Sequence, residues 1–537
     1  MNILIIDALG SERGSRRFTR DVISAGPRTI AGVLKNFSIN SKIVLAEQFL
    51  QAKKLPMDAD HLFISAMTMD FPAVKRILKK WSKLVSSRDS ETVKILGGPI
   101  TAAGTRILLN LDIDLGIIGE AEVTLTELIK HKIFSDGCTN NTLGNISGII
   151  FKSNQEIIEN IRRPFLSKKQ LNSFQPSTEH IQDYPGYRAA RIYIECVRGC
   201  SNFLRTKLKL PDGRMCNDCG TCTASDLAKR FKCPLNIPPG CGYCSVPMLY
   251  GPSRSRTIDN IISEIKELIE LGALRLILGA SDFLDFQRDE LVAPQPLTDP
   301  IKPPPNYPQL EELLSRINDI ITETDVFVFI ENIKASLFTE QAAKLIATYL
   351  PNTTFSIGCE TGSKTHSKLL GRSSSPNEVL NAVRLAKKYN LRVHTYFIHG
   401  LPGQTLQTAI ETKRFMQKLA NEGIEKVTVY KFKPIPMSAF ENIPPPPKAL
   451  SDKASKMIVD TAIRINHEKK QEYLGSIERV IISEFAKKDK SKVIGYSLRG
   501  GPTILIDNGT SLIGKIVQVK INKVYSDKLL GGTINSS

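Results

Sequence analysis

The sequence predicts an α/β protein built as a doubly wound amino-terminal domain, a partial (β/α) barrel and a small carboxyl-terminal β-barrel. Three observations predict it. Short strands apolar on both faces alternate with amphipathic helices over residues 1–130, as a buried parallel sheet requires. The same alternation resumes at 191 and makes six βα steps before 432. Beyond 475 the helices give way to short β-rich runs separated by Gly turns. A chain of 537 residues has room for this, since about 100–200 residues per domain predicts three or four domains.

The first domain is expected over 1–170, with strands at ILIID, KIVLA, HLFISA, VKILGG and LGIIGE and helices over 27–37 and 72–84. Its ligand would sit at the carboxyl ends of the strands, where Gly97-Gly98-Pro99 and Gly119-Glu120-Ala121-Glu122 fall. Simple turn chemistry accounts for those phrases equally well. Residues 131–180 are polar and irregular, with a weak strand at ISGIIF.

The partial barrel is expected over 185–445. Its strands are RIYIEC, LRLILG, VFVFIE, TTFSIGCE, LRVHTYFIHG and KVTVYKF; its helices span 257–271, 308–322, 339–349, 376–389 and 404–421. The proline-rich run 294–308 is a loop within it, and IPPPPKAL at 443–450 ends it. A helical linker over 446–474 then leads to the small β-barrel over 475–537.

Apolar residues make up 41% and charged residues 23%, which is globular composition and excludes collagen-like, mucin-like and wholly disordered chains. No apolar run approaches the roughly 20 residues that span a bilayer. MNILIIDALG has neither a basic lead-in nor a small-residue cleavage site, so it reads as a first strand. A cytoplasmic protein without a membrane partner is expected. Net charge is +18, and it is concentrated: residues 475–537 carry 10 Lys/Arg against 5 Asp/Glu, and 201–240 carry 7 against 3. Either this is lysine-rich solvated surface, or an anionic polymer binds there.

Eight of the ten cysteines lie between Cys196 and Cys244; the others are Cys138 and Cys359. A secreted disulfide framework would follow a signal peptide and spread along a small domain, so clustering here means metal. Cys241-Gly-Tyr-Cys244 is a two-residue-spaced pair, and Cys200 stands upstream in Gly199-Cys200-Ser-Asn-Phe203. With 204–240 excised the text reads C-S-N-F-C-G-Y-C. Three such thiolates hold three irons of a [4Fe–4S] cluster and leave the fourth open to a ligand. Cys196 also starts a Cys-x3-Cys phrase, but Phe203 stands where a third cysteine would fall, so Cys196 reads as a core residue or an auxiliary ligand.

At these residues the sequence resembles the radical S-adenosylmethionine (SAM) superfamily, over about 185–445. The resemblance implies that the open iron chelates SAM and that reduction yields a 5′-deoxyadenosyl radical, with Cys200, Cys241 and Cys244 as catalytic cluster ligands. It places Tyr243 near the adenine. Gly279-Ala-Ser-Asp282 ends the next strand, where Asp282 would meet the methionyl amine, although it departs from the usual Gly-Gly-Glu text. Gly358-Cys-Glu360-Thr-Gly-Ser363 with Leu370-Gly-Arg372 is similar to a segment of methylthiotransferases; there Glu360 and Arg372 would contact ribose and carboxylate. Gly400-Leu-Pro-Gly-Gln-Thr405 is similar to an adenine-contacting turn.

The excised segment carries Cys216-x2-Cys219-x2-Cys222-x10-Cys233-Pro. Four sulfurs can hold a second [4Fe–4S] cluster or close a Zn²⁺ tetrahedron. The amino-terminal domain resembles the cobalamin-binding-like domain of many radical enzymes through Ile64-Ser-Ala-Met-Thr68, Leu96-Gly-Gly-Pro99 and Ile118-Gly-Glu120-Ala-Glu122. It has no Asp-x-His-x-x-Gly, and His61 reads as a boundary residue, so cobalamin would bind base-off or the domain only supports the barrel. The carboxyl-terminal barrel resembles a TRAM domain through Ile513-Gly-Lys515-Ile-Val-Gln-Val-Lys520-Ile and Leu529-Leu-Gly-Gly532. Arg499, Lys515, Lys520 and Lys523 are its candidate RNA contacts, and Tyr496 and Tyr525 either stack on bases or pack.

The expectation is a radical SAM enzyme that transfers a methyl or methylthio group to a nucleoside carbon of RNA, tRNA foremost. The basic barrel and the insertion would hold the polyanion over the barrel mouth, and an electron donor such as ferredoxin or flavodoxin would reduce the cluster. Methyl transfer gains from the cobalamin-binding-like domain and methylthio transfer from a second cluster, which could supply sulfur; methylation is slightly favoured because the cysteine-bearing amino-terminal domain of methylthiotransferases is missing. Two alternatives stand: modification of a protein side chain such as one on a ribosomal protein, and a non-catalytic iron–sulfur RNA-binding protein.

Overall fold

A computed structural model describes residues 1–16, 19–86, 92–134, 140–153 and 156–535; Cys138 lies outside them. The chain divides into two compact units, Met1–Tyr193 and Ile194–Ser537.

The first unit is a seven-stranded sheet. Strands β1 (Asn2–Asp7), β3 (Asn40–Leu45), β4 (His61–Ser65), β5 (Lys94–Gly97) and β6 (Leu115–Ile117) are parallel; β7 (Ile149–Ser153) and β8 (Glu156–Glu159) extend the edge antiparallel, and a short β2 (Val22–Ile23) lies outside the sheet. The sheet order is β3-β1-β4-β5-β6-β7-β8. Ile3–Ile6 are all buried, as a strand covered on both faces must be. Helices Ala25–Lys35 and Phe71–Val85 bury one stripe each, the second through Val74, Ile77, Leu78 and Trp81. At the carboxyl ends, the Asp70 carboxylate accepts the backbone N–H groups of Gly10, Glu12 and Met67 at 3.1, 2.8 and 3.0 Å. His61 opens β4, at the opposite end from a ligand site. Its Nε2 meets the Phe134 carbonyl at 3.1 Å and its Nδ1 accepts the Val93 N–H, so it is a boundary residue in the structure too. Residues 171–193 pack with this unit, the Tyr184 hydroxyl donating to Asp7 at 2.9 Å.

The second unit opens with a barrel in two arcs. β9 (Arg191–Arg198, begun in the first unit), β10 (Arg254–Ser255), β11 (Arg275–Ala280) and β12 (Phe327–Ile330) form one sheet, ordered β10-β9-β11-β12; β13 (Thr354–Glu360), β14 (Arg392–His399) and β15 (Lys426–Lys431) form the other. A parallel bridge between Asn332 and Ser356 joins them. The six long strands thus follow one another around an open barrel, with helices such as Ile258–Glu270 and Pro376–Lys388 between them.

Five further strands close on themselves: β16 (Ile477–Phe485), β17 (Lys492–Ser497), β18 (Thr503–Asp507), β19 (Ile516–Val524) and β20 (Leu529–Ile534), in the order β16-β17-β18-β20-β19. Alternation fills the centre with Val480, Ile482, Val493, Ile504, Ile506, Val519, Ile521 and Leu530. Closure leaves no unpaired edge.

The small barrel docks at the amino ends of the larger barrel's strands. Arg275, which opens β11, lies 5.4 Å from the Tyr496 ring centroid, and Arg392, which opens β14, donates to the Arg499 carbonyl. The reason is the linker helix Lys453–Gln471. It starts beside the β14 carboxyl end, where Gln404 reaches Ser455 at 3.2 Å, and finishes where Tyr473 donates to Glu425 ahead of β15 at 3.2 Å. Nineteen helical residues span about 28 Å, enough to carry the chain from one end of the barrel to the other.

Candidate active site

The insertion is closed at its base. Gly240 N–H donates to the Leu204 carbonyl at 2.7 Å, which brings Cys200 and Cys241 onto one continuous loop despite the residues between them. Gly199, just past β9, has φ 85°, and a Cβ there would stand 2.2 Å from the Pro252 carbonyl oxygen; only glycine fits. Cys200 N–H then donates to Gly251 O at 3.1 Å, and Cys244 N–H to Cys241 O at 2.8 Å. Gly242 lies against Phe440, where a Cβ would be 2.3 Å from the ring. Close approaches of backbone thus set the positions of all three cysteines.

Asn202 ties the cysteines together. Its N–H points at Cys200 Sγ at 3.4 Å, and its side-chain amide donates to Cys241 Sγ at 3.3 Å and to Gly371 O at 3.1 Å. On one side Lys334, just beyond β12, meets Asp285 at 2.9 Å and Asp282 at 3.3 Å and donates to Ser201. On the other, Arg372 takes the Tyr243 hydroxyl at 2.7 Å, Glu360 at 3.3 Å and the Gly358 carbonyl, with Cys241 Sγ at 3.9 Å. Glu360 itself sits at φ 67° beside a bulge in β13, a backbone conformation that costs a side-chain-bearing residue about 1–3 kcal/mol.

Burial governs the titration of the site. It pushes the Cys200 thiol up to about 11 and the Cys244 thiol up to about 12, Lys334 opposing it at Cys200. It also raises the Glu360 carboxyl, against Arg372. At Asp285 burial is outweighed by Lys334 and Arg288, which hold the carboxyl at about 2. Thiols raised this far become thiolates only beside a strong cation, which iron supplies. The donor set fits a [4Fe–4S] cluster: three thiols, two N–H groups directed at sulfur, and cations on both flanks. Among the described residues no three His, Cys, Asp or Glu side chains gather around a single-ion site. A cube needs no such gathering, because each thiolate takes its own iron.

Asp282 is fully buried, its carboxylate accepting from Leu284 N–H and Lys334 N–H at 3.2 and 2.9 Å. Gly400 has φ 72° and is covered by Pro446, of the proline run; a Cβ there would stand only 2.4 Å from that ring. Cys196 is wholly buried, its thiol directed at the Ile194 carbonyl, and belongs to the core. Lys334, Asn202 and Asp285 carry no sequence signal; only the fold gathers them. Burial of Cys241's neighbour Tyr243 raises its phenol well above the usual range, with Arg372 opposing.

On the small barrel, Lys515, Lys520 and Lys523 are exposed, while Arg499 pairs with buried Glu478 at 2.8 Å. A bulge between Ile521 and Lys523 turns Lys523 outward beside the ring of Tyr525, 4.8 Å away. Tyr496 is 8% exposed and packs under Arg275, so of stacking and packing it takes packing: its ring is spent on the seam between the barrels. Tyr525 is 44% exposed. Among the described residues no helix is long and apolar enough to cross a membrane.

Residues 231–416 match the family described as Radical SAM superfamily, and residues 471–533 match the TRAM domain. The first match begins inside the insertion; it contains Cys241, Cys244, Asp282, Glu360, Arg372 and Gly400 and leaves Cys200 outside. The uncharacterized protein MJ1620 of Methanocaldococcus jannaschii is 43% identical over 534 residues, 99% of this chain and 98% of its own. A tRNA-2-methylthio-N(6)-dimethylallyladenosine synthase of Clostridium botulinum is 28% identical over 304 residues, 55% of this chain and 62% of its own. Among solved structures, the radical SAM methyltransferase TsrM from Kitasatospora setae, with cobalamin and a [4Fe–4S] cluster bound, shares the fold with a TM-score of 0.56. That likeness has 11% identity and covers 82% of this chain and 74% of TsrM.

Proposed function

This chain belongs to the full-length family of the uncharacterized protein MJ1620 and is a radical SAM enzyme with a TRAM domain, and from that premise we propose that it methylates a nucleoside carbon of folded RNA, tRNA foremost. The observation that carries the reading is the closed, lysine-bearing barrel fixed to the same compact unit as the cysteine triad. It gives sequence-independent grip on phosphates, while the triad end carries the chemistry.

When bound, the cluster and SAM supply radical initiation and cobalamin supplies a transferable methyl group. Cys200, Cys241 and Cys244 would hold the cluster; Asn202 directs two N–H groups at their sulfurs. Lys334 keeps a positive charge beside Cys200, and Arg372 is aimed by Tyr243, Glu360 and the Gly358 carbonyl before any ligand arrives. Such prior orientation lowers the cost of binding a carboxylate or ribose. The methyl reading is supported by the parallel amino-terminal sheet and by the fold likeness, over 82% of this chain, to the cobalamin-bound TsrM structure. At its strand ends Gly98 has φ 89° and lies against the Ala66 carbonyl, while Gly97 has open space where a Cβ would stand. His61 faces the other end, so cobalamin would bind base-off.

Because the two barrels meet at the amino ends of the strands, the RNA must reach from the lysines past a helix of about 28 Å to the mouth. A folded tRNA does so and a short oligonucleotide does not. The test compares tRNA nucleosides by mass spectrometry from cells carrying the wild-type gene or a Cys241→Ala allele. Loss of one methylated nucleoside in the mutant is expected. Loss of a methylthio nucleoside would replace the methyl reading, and an unchanged nucleoside profile with an altered ribosomal protein would sink the RNA reading.

A further inference from the structure

The insertion between Leu204 and Gly240 contains a second set of cysteines that the radical triad does not use. Cys219 is exposed, and Cys216, Cys222 and Cys233 are half-buried. Left-handed Asp218 (φ 52°) and Gly220 (φ 79°) bend the backbone on either side of Cys219, and a single 3-10 turn, Thr221–Thr223, carries Cys222. Cys216 and Cys233 pack from different parts of the segment onto one apolar cluster that includes Leu210, Ile237, Phe432 and Phe440. Tyr243 and Ile398 pack on the same cluster, so the insertion is seated at the carboxyl ends of the barrel strands, beside the triad.

The segment is anchored rather than loose. Arg230, 5% exposed, pairs with Asp299 at 2.7 Å and donates to the Thr298 carbonyl, and Leu227 and Thr298 share a further hydrogen bond at 2.8 Å. Thr206 and Lys207 bind the Leu369 carbonyl from the other side, each at 2.8 Å.

A buried cation is aimed at the sulfurs. Arg205 is 4% exposed, and its guanidinium is held by the carbonyls of Phe203, Ile237 and Arg230. Its remaining reach is to Cys222 Sγ at 3.0 Å. A guanidinium in that position is matched by negative charge on sulfur.

We propose that Cys216, Cys219, Cys222 and Cys233 ligate a second [4Fe–4S] cluster, with Arg205 offsetting its negative charge. The spacings Cys216-x2-Cys219-x2-Cys222 and the closing Cys233-Pro are those of a ferredoxin run with ten residues in place of three before the last cysteine, whereas zinc more often takes two separate Cys-x2-Cys pairs. With four protein thiolates no iron is left open. Such a cluster can pass electrons and offers no open iron on which to hold an exogenous sulfur atom. The inference stands whether or not RNA is the substrate.

The test uses the full chain, reconstituted without oxygen, with iron and zinc counted and Mössbauer and EPR spectra recorded. About eight irons per chain are expected in the wild type and about four in a Cys200→Ser/Cys241→Ser/Cys244→Ser variant. The reduced EPR signal of that variant should not respond to SAM. A Cys216→Ser/Cys222→Ser variant should keep about four irons whose signal does respond. The triad-less variant decides the matter even if the second variant fails to fold. Iron-free protein, or one zinc per chain, in the triad-less variant would overturn the proposal.

Discussion

The two ends of the partial barrel are built on opposite principles. At the carboxyl end, charge is buried and spoken for: Lys334 answers Asp282 and Asp285, and Arg372 answers Glu360 and the Tyr243 hydroxyl. At the amino end, charged groups seal a seam. Arg392 meets Glu425 and the Arg499 carbonyl, Arg479 meets Asp325, and Arg275 covers Tyr496. The lysines beyond that seam stay in solvent. The contrast separates two tasks, because a radical site needs fixed groups screened from water whereas phosphate binding needs charges that can move to a polymer.

Breaking the carboxyl end has the largest expected effect. Cys241→Ala removes a proposed cluster ligand and the sulfur that Asn202 and Arg372 face, and 5′-deoxyadenosine formation with dithionite and SAM should fall to background while tRNA binding persists. Lys334→Met leaves buried Asp282 without its cation and Asp285 with Arg288 alone, and losing one partner of a buried pair costs about 3–5 kcal/mol. Hydrogen exchange should quicken at β11 and β12 and leave β16–β20 protected; equal loosening of both would deny the separation of the two ends.

Effects at the amino end should be smaller and of a different kind. Lys515→Glu/Lys520→Glu/Lys523→Glu should weaken tRNA binding and lower its salt slope by about one per lysine, with deoxyadenosine formation in the absence of RNA unchanged. Tyr525→Leu sharpens the point. If its exposed ring stacks on a base, affinity should drop about 5- to 150-fold, since such stacking is worth about 1–3 kcal/mol. An unchanged affinity would leave Tyr525 as a packing partner for Lys523 and Gly531.

Much of this was legible in the chain itself. The apolar strands and amphipathic helices of both α/β regions appear within a residue or two of where periodicity puts them, because strands buried on both faces tolerate little else. The cysteine spacing pointed to Cys200, Cys241 and Cys244 as one loop, and the Gly240–Leu204 hydrogen bond joins them as one. Lys334, Asn202 and Arg205 were not legible, since each is an isolated polar residue whose partners lie tens of residues away or more. Tyr496 was legible only as a choice between stacking and packing, and Arg275 decides it.

The sequence alone determined the element order, the cysteine sets and the location of excess positive charge, because those are properties of local pattern and composition. Only the tertiary structure decided which end of the barrel each part occupies. A linker helix of 19 residues reads the same whether it leads back toward the mouth or away from it. Its direction is set by the side chains it packs along, Ser455 against Gln404 at one end and Tyr473 against Glu425 at the other, and such long-range contacts leave no periodic trace in the chain.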